Sequence, residues 1–410
     1  MYHFSAKHSL STLVTHVGED ENPHHTHVSP IYQTSTFNFP DVATGAGIVA
    51  RTEPGYYYTR LANPNLDHLA QKIAILEGID LIRLKPEADP RDLVAGQVFS
   101  SGMAAITAVL FSLLKAGDTV VAQEAVYSAT FTFLKEIAPN LGIQVEWVRD
   151  ISPAGWEAAF NKHPNARLAY AETPANPTMA VVDLKAVAEI AHRHTAWLAV
   201  DNTFATPYCQ RPLSLGADIV VHSTTKFLSG HGALTGGAVV SAHPDYIHKT
   251  LYSFVKILGG IPSPFDTWLA NLGLKTFALR MQRHCENALE VARFLSNHPA
   301  VARVHYPGLE DNPGHAIAAR QMYAFGGMLS FELKGGMQAG IQLMERVRLA
   351  TLAVSLGVVD TLIEHPASMT HGPVPRQDRL SQGITDGLVR LSVGIEGLAD
   401  ILADLEQGLM

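Results

Sequence analysis

The sequence predicts an α/β protein with a large, mainly parallel sheet covered by helices on both faces, followed by a smaller α/β portion. Between about residues 97 and 240, short apolar runs alternate with stretches of helical periodicity, the pattern of repeated strand and helix units. A Gly and Pro cluster, Gly259-Gly260-Ile261-Pro262-Ser263-Pro264, then precedes a long helical stretch and marks a boundary. The length of 410 residues gives room for two to three domains at roughly 150 residues each.

Residues up to about 65 are rich in His, Pro, Thr and aromatics without a sustained period, which predicts an extended arm. Leu66, Leu69, Ile73 and Leu76 have helical spacing, with Gly78 as the expected stop. Leu81 to Gly96 carries alternating charges, Pro86 and Pro90, and reads as a surface loop. Strands are expected at Thr119 to Ala122, Gln144 to Val148, Arg167 to Ala171, Trp197 to Val200, Ile219 to Val221 and Gly237 to Ser241, with helical stretches between them such as Leu184 to His194. In such sheets ligands bind beyond the carboxyl ends of the strands. After the boundary, a helix is expected over Phe265 to His298, strands over Gly327 to Glu332 and Leu388 to Gly394, and a terminal helix over Gly397 to Leu405. The expected division is an arm (1–65), a large domain (66–262) and a small domain (263–410).

Composition narrows the function. Apolar residues make up 47% and charged residues 17% of the chain, as in an ordinary globular protein. Lys and Arg total 30 against 38 Asp and Glu, a net charge of −8 without a basic stripe, so nucleic acid is not an expected partner. Cys209 and Cys285 are the only cysteines, too few for a disulfide framework and without zinc-site spacing, which suits a reducing, cytoplasmic setting. Met1 to His8 shows no export signal, and no apolar stretch reaches the roughly 18 residues of a membrane span. His24, His25 and His27 cluster without a carboxylate at ligand spacing, so they read as a solvated loop and no metal is expected.

The chemistry concentrates at strand ends. The strand Ile219-Val220-Val221 leads into His222-Ser223-Thr224-Thr225-Lys226, which puts a lysine at the ligand edge of the sheet. An arbitrary lysine is a solvated loop residue. Here, however, another strand, Trp197 to Val200, ends in Asp201 one strand and helix unit earlier. A lysine able to form a Schiff base, with an acid that keeps a pyridine nitrogen protonated, is what pyridoxal 5'-phosphate requires. Alone, Asp201 reads equally as a turn or cap residue. Ser100-Ser101-Gly102-Met103 precedes the helical run Ala104 to Leu114, a helix start suited to phosphate, although a serine there also serves as an ordinary N-cap.

Seven motifs in order carry a resemblance: Pro30-Ile31-Tyr32-Gln33-Thr34-Ser35-Thr36-Phe37, Tyr58-Thr59-Arg60 with Asn63-Pro64, Ser101-Gly102-Met103, Glu172-Thr173-Pro174-Ala175-Asn176-Pro177, Asp201-Asn202-Thr203, His222 to Lys226, and Val389-Arg390-Leu391-Ser392-Val393-Gly394. Over nearly its whole length the chain resembles the Cys/Met metabolism (trans-sulfuration) family of pyridoxal-phosphate enzymes. The resemblance implies an aspartate aminotransferase-like (fold type I) architecture. It implies that Lys226 holds the cofactor and moves protons, and that Asp201 pairs with the pyridine nitrogen. Ser101, Gly102, Met103, Ser223 and Thr225 would bind the phosphate, joined by Tyr58 and Arg60 from a neighbouring subunit. Tyr127 would stack on the ring and help protonate the γ-leaving group, and Asn176 would bond the cofactor's phenolic oxygen. Arg390 would clamp the substrate carboxylate, and Ser355 would orient Lys226 or that carboxylate. The implied assembly is a homo-oligomer, a dimer of dimers, acting on a small amino-acid substrate.

Within the family, members differ after Cα deprotonation: γ-elimination from methionine, homocysteine or cystathionine, γ-replacement on O-acetyl- or O-succinyl-homoserine, or β-elimination. Leu362 to His371 and Tyr56 to Arg60 resemble methionine γ-lyases and sulfhydrylases, and Asp360 is acidic as in lyases and cystathionine synthases. Ala129 stands where methionine lyases usually carry cysteine, and the loop Leu81 to Gly96 is longer than in most members. The sequence favours the γ-lyase side. Ser223-Thr224-Thr225-Lys226 also fits the serine-x-x-lysine pattern of acyl-enzyme hydrolases, but the Ser-Asp-Asn and Lys-Thr-Gly elements of those enzymes do not occur.

Overall fold

A computed structural model describes residues 4–19, 22, 24–372 and 374–410; Met1 to His3, where the reading of the N-terminus begins, lie outside the described residues. Among the described residues, no helix is long and apolar enough to cross a membrane.

The six strands expected in the first half form, with one more, a seven-stranded sheet. They are β1 (Ala95–Phe99), β2 (Thr119–Gln123), β3 (Gln144–Val148), β4 (Leu168–Glu172), β5 (Trp197–Asp201), β6 (Ile219–Ser223) and β7 (Gly237–Ser241). Their order across the sheet is β1-β7-β6-β5-β4-β2-β3. β2 to β6 run parallel, and β7 lies antiparallel between β1 and β6.

Alternation along these strands feeds two cores. Val120, Ala122, Tyr170, Ala199 and Val221 pack with Val109 and Leu110 of the helix Gly102–Leu113. Val121, Ala171, Leu198 and Val200 pack with Trp156 and Phe160 of helix Pro153–Lys162 and with Val187 and Ile190 of helix Leu184–Arg193. Burial on both faces is why these strands read as unbroken apolar runs. Helix starts follow capping chemistry: the Asp183 carboxylate accepts from the Ala186 amide, and Ser263, before Pro264, accepts from the Asp266 amide.

A second sheet, ordered β10-β11-β12-β9-β8, comprises β8 (Val301–His305), β9 (Met328–Leu333), β10 (Thr351–Leu352), β11 (Leu362–Glu364) and β12 (Leu388–Ser392). Leu329, Phe331, Val389 and Leu391 pack against Val291 and Leu295 of helix Phe277–Ser296 and against Ile401 and Leu405 of the terminal helix Leu398–Leu409.

Four expectations are corrected. The first long helix does not stop at Gly78 but spans Pro64–Leu84. Gly78 is needed there for close packing, since a Cβ would lie 2.4 Å from Val94 Cγ1. The supposed loop Leu81 to Gly96 therefore contains the end of that helix, the short helix Pro90–Leu93 and the start of β1. The arm is not wholly extended, because Leu10–His16 and Val42–Ala50 are helical. The stretch Phe265 to His298 is two helices, Pro264–Lys275 and Phe277–Ser296, parted at Thr276.

Candidate active site at the carboxyl edge of the large sheet

A cavity of about 230 Å³ opens where the parallel strands end. The large sheet contributes Glu172 from β4, Asp201 from β5 and Ser223 from β6, and the connections add Gly102, Tyr127, Asn176 and Lys226. The second sheet region closes it with Val354, Leu356 and Arg390. A wider hollow of about 570 Å³ beside Phe4 and Arg91 gathers no lysine. Chemistry rather than size singles out the smaller one.

Lys226 sits three residues beyond β6, and its Nζ donates to Ser355 Oγ at 2.9 Å. Burial, helped by the Arg390 charge, lowers its ammonium pKa to about 8. Its turn is held from below by Arg280, a buried side chain that donates to the carbonyls of Phe227 (2.8 Å), Leu228 (3.3 Å) and Gly273 (2.8 Å). The break at Thr276 lets one guanidinium reach the lysine turn and the end of the preceding helix together.

Two carboxyl groups share the cavity floor. Asp201 is buried and its carboxyl is pushed up by loss of water, opposed by bonds from Thr203, whose amide donates to Oδ1 at 3.0 Å. Glu172, raised by burial and then by the Asp201 charge to about 8, accepts from the amides of Tyr127 (2.7 Å) and Asn176 (2.8 Å). At the far wall, Arg390 of β12 forms an ion pair with Glu364 Oε1 at 3.0 Å, and its guanidinium donates to Asn176 Oδ1 (3.1 Å) and to the carbonyl of Ser355 (2.9 Å). Arg390 Nε has no partner among the described residues.

The structure brings Lys226, Asp201, Ser101, Gly102, Met103, Tyr127, Asn176, Ser223, Thr225 and Arg390 to one cavity. Ser355 touches the lysine amine. Tyr58 and Arg60 do not line it: Tyr58 is 40% exposed, and Arg60 stacks 5.3 Å over its ring and bonds the Lys256 carbonyl. A bridge between Thr36 and Tyr58 joins two of the motifs of the arm. His24, His25 and His27 are exposed, and among the described residues no group of three or more His, Cys, Asp or Glu side chains could hold a metal ion. Sequence reasoning passed over Glu172, Thr203, Glu364 and Arg280. Glu172 was visible as an acid at the end of an apolar strand inside a quoted motif, whereas Arg280 carries no local signal.

Residues 11–410 match the family described as Cys/Met metabolism PLP-dependent enzyme. The chain belongs to this family. It is 47% identical over 404 residues to an L-methionine gamma-lyase of Fusobacterium nucleatum subsp. polymorphum, across 98% of both chains. To the cystathionine gamma-lyase of Bacillus subtilis (strain 168) it is 43% identical over 380 residues, 93% of each. A solved cystathionine gamma synthase from Xanthomonas oryzae pv. oryzae, in complex with aminoacrylate and cysteine, superimposes with a TM-score of 0.89 at 38% identity, over 98% of this chain and 97% of that one. Family membership removes the acyl-enzyme reading of Ser223 to Lys226.

The residues present fit the family's cofactor. Lys226 supplies an amine with a depressed pKa, and Asp201 is a water-deprived acid suited to a ring N–H. Gly102 opens the helix Gly102–Leu113, where the first amides have no acceptor within the helix, and a Cβ there would lie 2.9 Å from Ser223 Cβ, inside the space a phosphate needs.

Proposed function

We propose that the protein catalyses pyridoxal-phosphate-dependent γ-elimination on a sulfur amino acid, namely L-methionine, homocysteine or cystathionine, giving 2-oxobutyrate, ammonia and a thiol. The observation that carries this is the convergence of Lys226, Asp201, Tyr127 and Arg390 on one cavity in a chain that is 47% identical to a methionine gamma-lyase.

Bound pyridoxal phosphate supplies the electron sink for the carbanion. The chain supplies binding and proton transfer. Arg390, its guanidinium oriented by Glu364, Asn176 and the Ser355 carbonyl, binds the substrate carboxylate. Lys226 Nζ, with its lowered pKa, takes the proton from Cα and returns protons to carbon later. Ser355 aims that amine. Tyr127 donates its hydroxyl proton to the departing sulfur, so that a neutral thiol leaves. Asp201 would pair with the ring nitrogen and keep it protonated. Ser101, Gly102, Met103, Ser223 and Thr225 would hold the phosphate, and Asn176 would bond the phenolic oxygen.

Tyr58 and Arg60, exposed on the arm, reach into the site of a second copy and join its phosphate cradle, within a homotetramer built as a dimer of dimers. Cys209 and Cys285 are free thiols, which suits an enzyme of the reducing cytoplasm.

The test is product analysis by mass spectrometry on cofactor-loaded protein given L-methionine in one tube and O-acetyl-L-homoserine with L-cysteine in another. 2-Oxobutyrate and methanethiol from the first tube are expected. Cystathionine from the second with inert methionine would overturn γ-elimination in favour of γ-replacement.

A further inference from the structure

We infer that Glu172 is the positioning residue that fixes the distance between the leaving-group acid, Tyr127, and the substrate clamp built on Asn176 and Arg390. The inference rests on the γ-elimination reading and deepens it. Glu172 is the last residue of β4 and is 4% exposed. Its two oxygens serve different connections, Oε2 accepting from the Tyr127 amide at 2.7 Å and Oε1 from the Asn176 amide at 2.8 Å. Asn176 Oδ1 in turn accepts from Arg390. One carboxylate thus links the place where the C–S bond breaks to the place where the substrate carboxylate is held.

Tyr127 needs this anchor. Its side chain is 43% exposed, and the helix it precedes, Ser128–Thr132, has no side-chain cap. Its carbonyl accepts from the Phe131 amide at 2.9 Å, and its amide is held by Glu172. A glutamine would avoid burying a second acid beside Asp201, yet it offers one acceptor oxygen and turns an NH2 group toward the other amide. Only the ionised carboxyl accepts from both; burial and the Asp201 charge oppose that form, and the two amide bonds favour it.

The experiment compares cofactor-loaded wild type, Glu172→Gln and Tyr127→Phe on two substrates that differ in leaving group: L-methionine, whose alkyl thiolate needs a proton, and S-(4-nitrophenyl)-homocysteine, whose aryl thiolate does not. General acid catalysis contributes about 10²-fold or more. Glu172→Gln is expected to lower kcat on methionine by roughly tenfold to a hundredfold and on the aryl thioether by less than about threefold, the same signature as Tyr127→Phe. In cofactor-free protein, hydrogen exchange of peptides covering Tyr127 and Asn176 is expected to accelerate. Equal losses on both substrates would make Glu172 merely structural and overturn the inference, as would unchanged exchange in both peptides. Should Glu172→Gln not accumulate folded, Glu172→Asp, which keeps the carboxyl but shortens the reach, carries the same comparison. Wild type inert on both thioethers would sink the γ-elimination reading instead, and the exchange data would then judge the clamp alone.

Discussion

The lysine turn and the arm bear matching motifs of one family, yet a single chain completes only the first. Lys226 is enclosed, bonded to Ser355 and backed by Arg280, while Tyr58 and Arg60 stand on an exposed surface, Arg60 over the Tyr58 ring and bonded to the Lys256 carbonyl. The groups proposed for acid–base work and carboxylate binding are therefore built into the layers of one chain, and the residues of the arm have their proposed work in another.

Lys226→Ala is the most severe break, expected to cost at least about 10³-fold in turnover while leaving secondary structure intact by circular dichroism, because it removes both the proposed covalent anchor and the proposed proton carrier. Substantial steady-state activity in that variant would contradict the enclosed half of the contrast. Asp201→Ala should cost on the order of 10²-fold in kcat, since the ring nitrogen loses its acid partner; unchanged turnover would remove Asp201 from its role. Arg60→Ala should act on the other half, weakening cofactor affinity about tenfold with a smaller effect on kcat, as expected for loss of one charge-assisted phosphate contact.

Mixing Arg60→Ala with Lys226→Ala sharpens the contrast most directly. If the arm serves a second copy, a mixed dimer has one complete site, and after random exchange about a quarter of all sites should regain wild-type cofactor affinity, read by titrating bound cofactor. No recovery after confirmed subunit exchange would confine Arg60 to its own chain.

The smallest effect is a pH dependence of cofactor capture. Lys226 attacks only as the neutral amine, and its pKa is about 8. The capture rate should be flat above that pH and fall about tenfold per unit below it. Stopped-flow absorbance on cofactor-free protein measures this, and a profile still rising well above pH 8 would mean that the amine is not desolvated as described.

Much of this was legible because burial on both faces leaves a plain mark. Val120, Ala122, Val200 and Val220 belong to strands that must be apolar throughout, and the residues that end those strands, such as Asp201, fall at the ligand edge by topology. β1 escaped notice because it is an edge strand interrupted by Gly96 and Gln97. Gly78 misled for a related reason: a glycine that stops a helix and one that admits Val94 look alike in sequence. Glu172 was missed because it serves backbone amides, which leave no residue-type signature at the other end. Arg280 was missed because its reach depends on a helix break that periodicity does not register.

Strand β7 bears on how such a catalyst varies over generations. Successive parallel strands of the large sheet are joined through helical segments, so changing the length of one of those joins displaces packed layers. β6 and β7 are adjacent and antiparallel, and the turn joining them carries Lys226 without a helix. Asp201, paired in register with Val221, stays where the sheet puts it. The first part of that turn, with Phe227 and Leu228 buried and backed by Arg280, fixes the amine against the acid, whereas insertions in the exposed stretch His231 to Ala233 would reshape the rim of the cavity in small heritable steps and leave the amine in place.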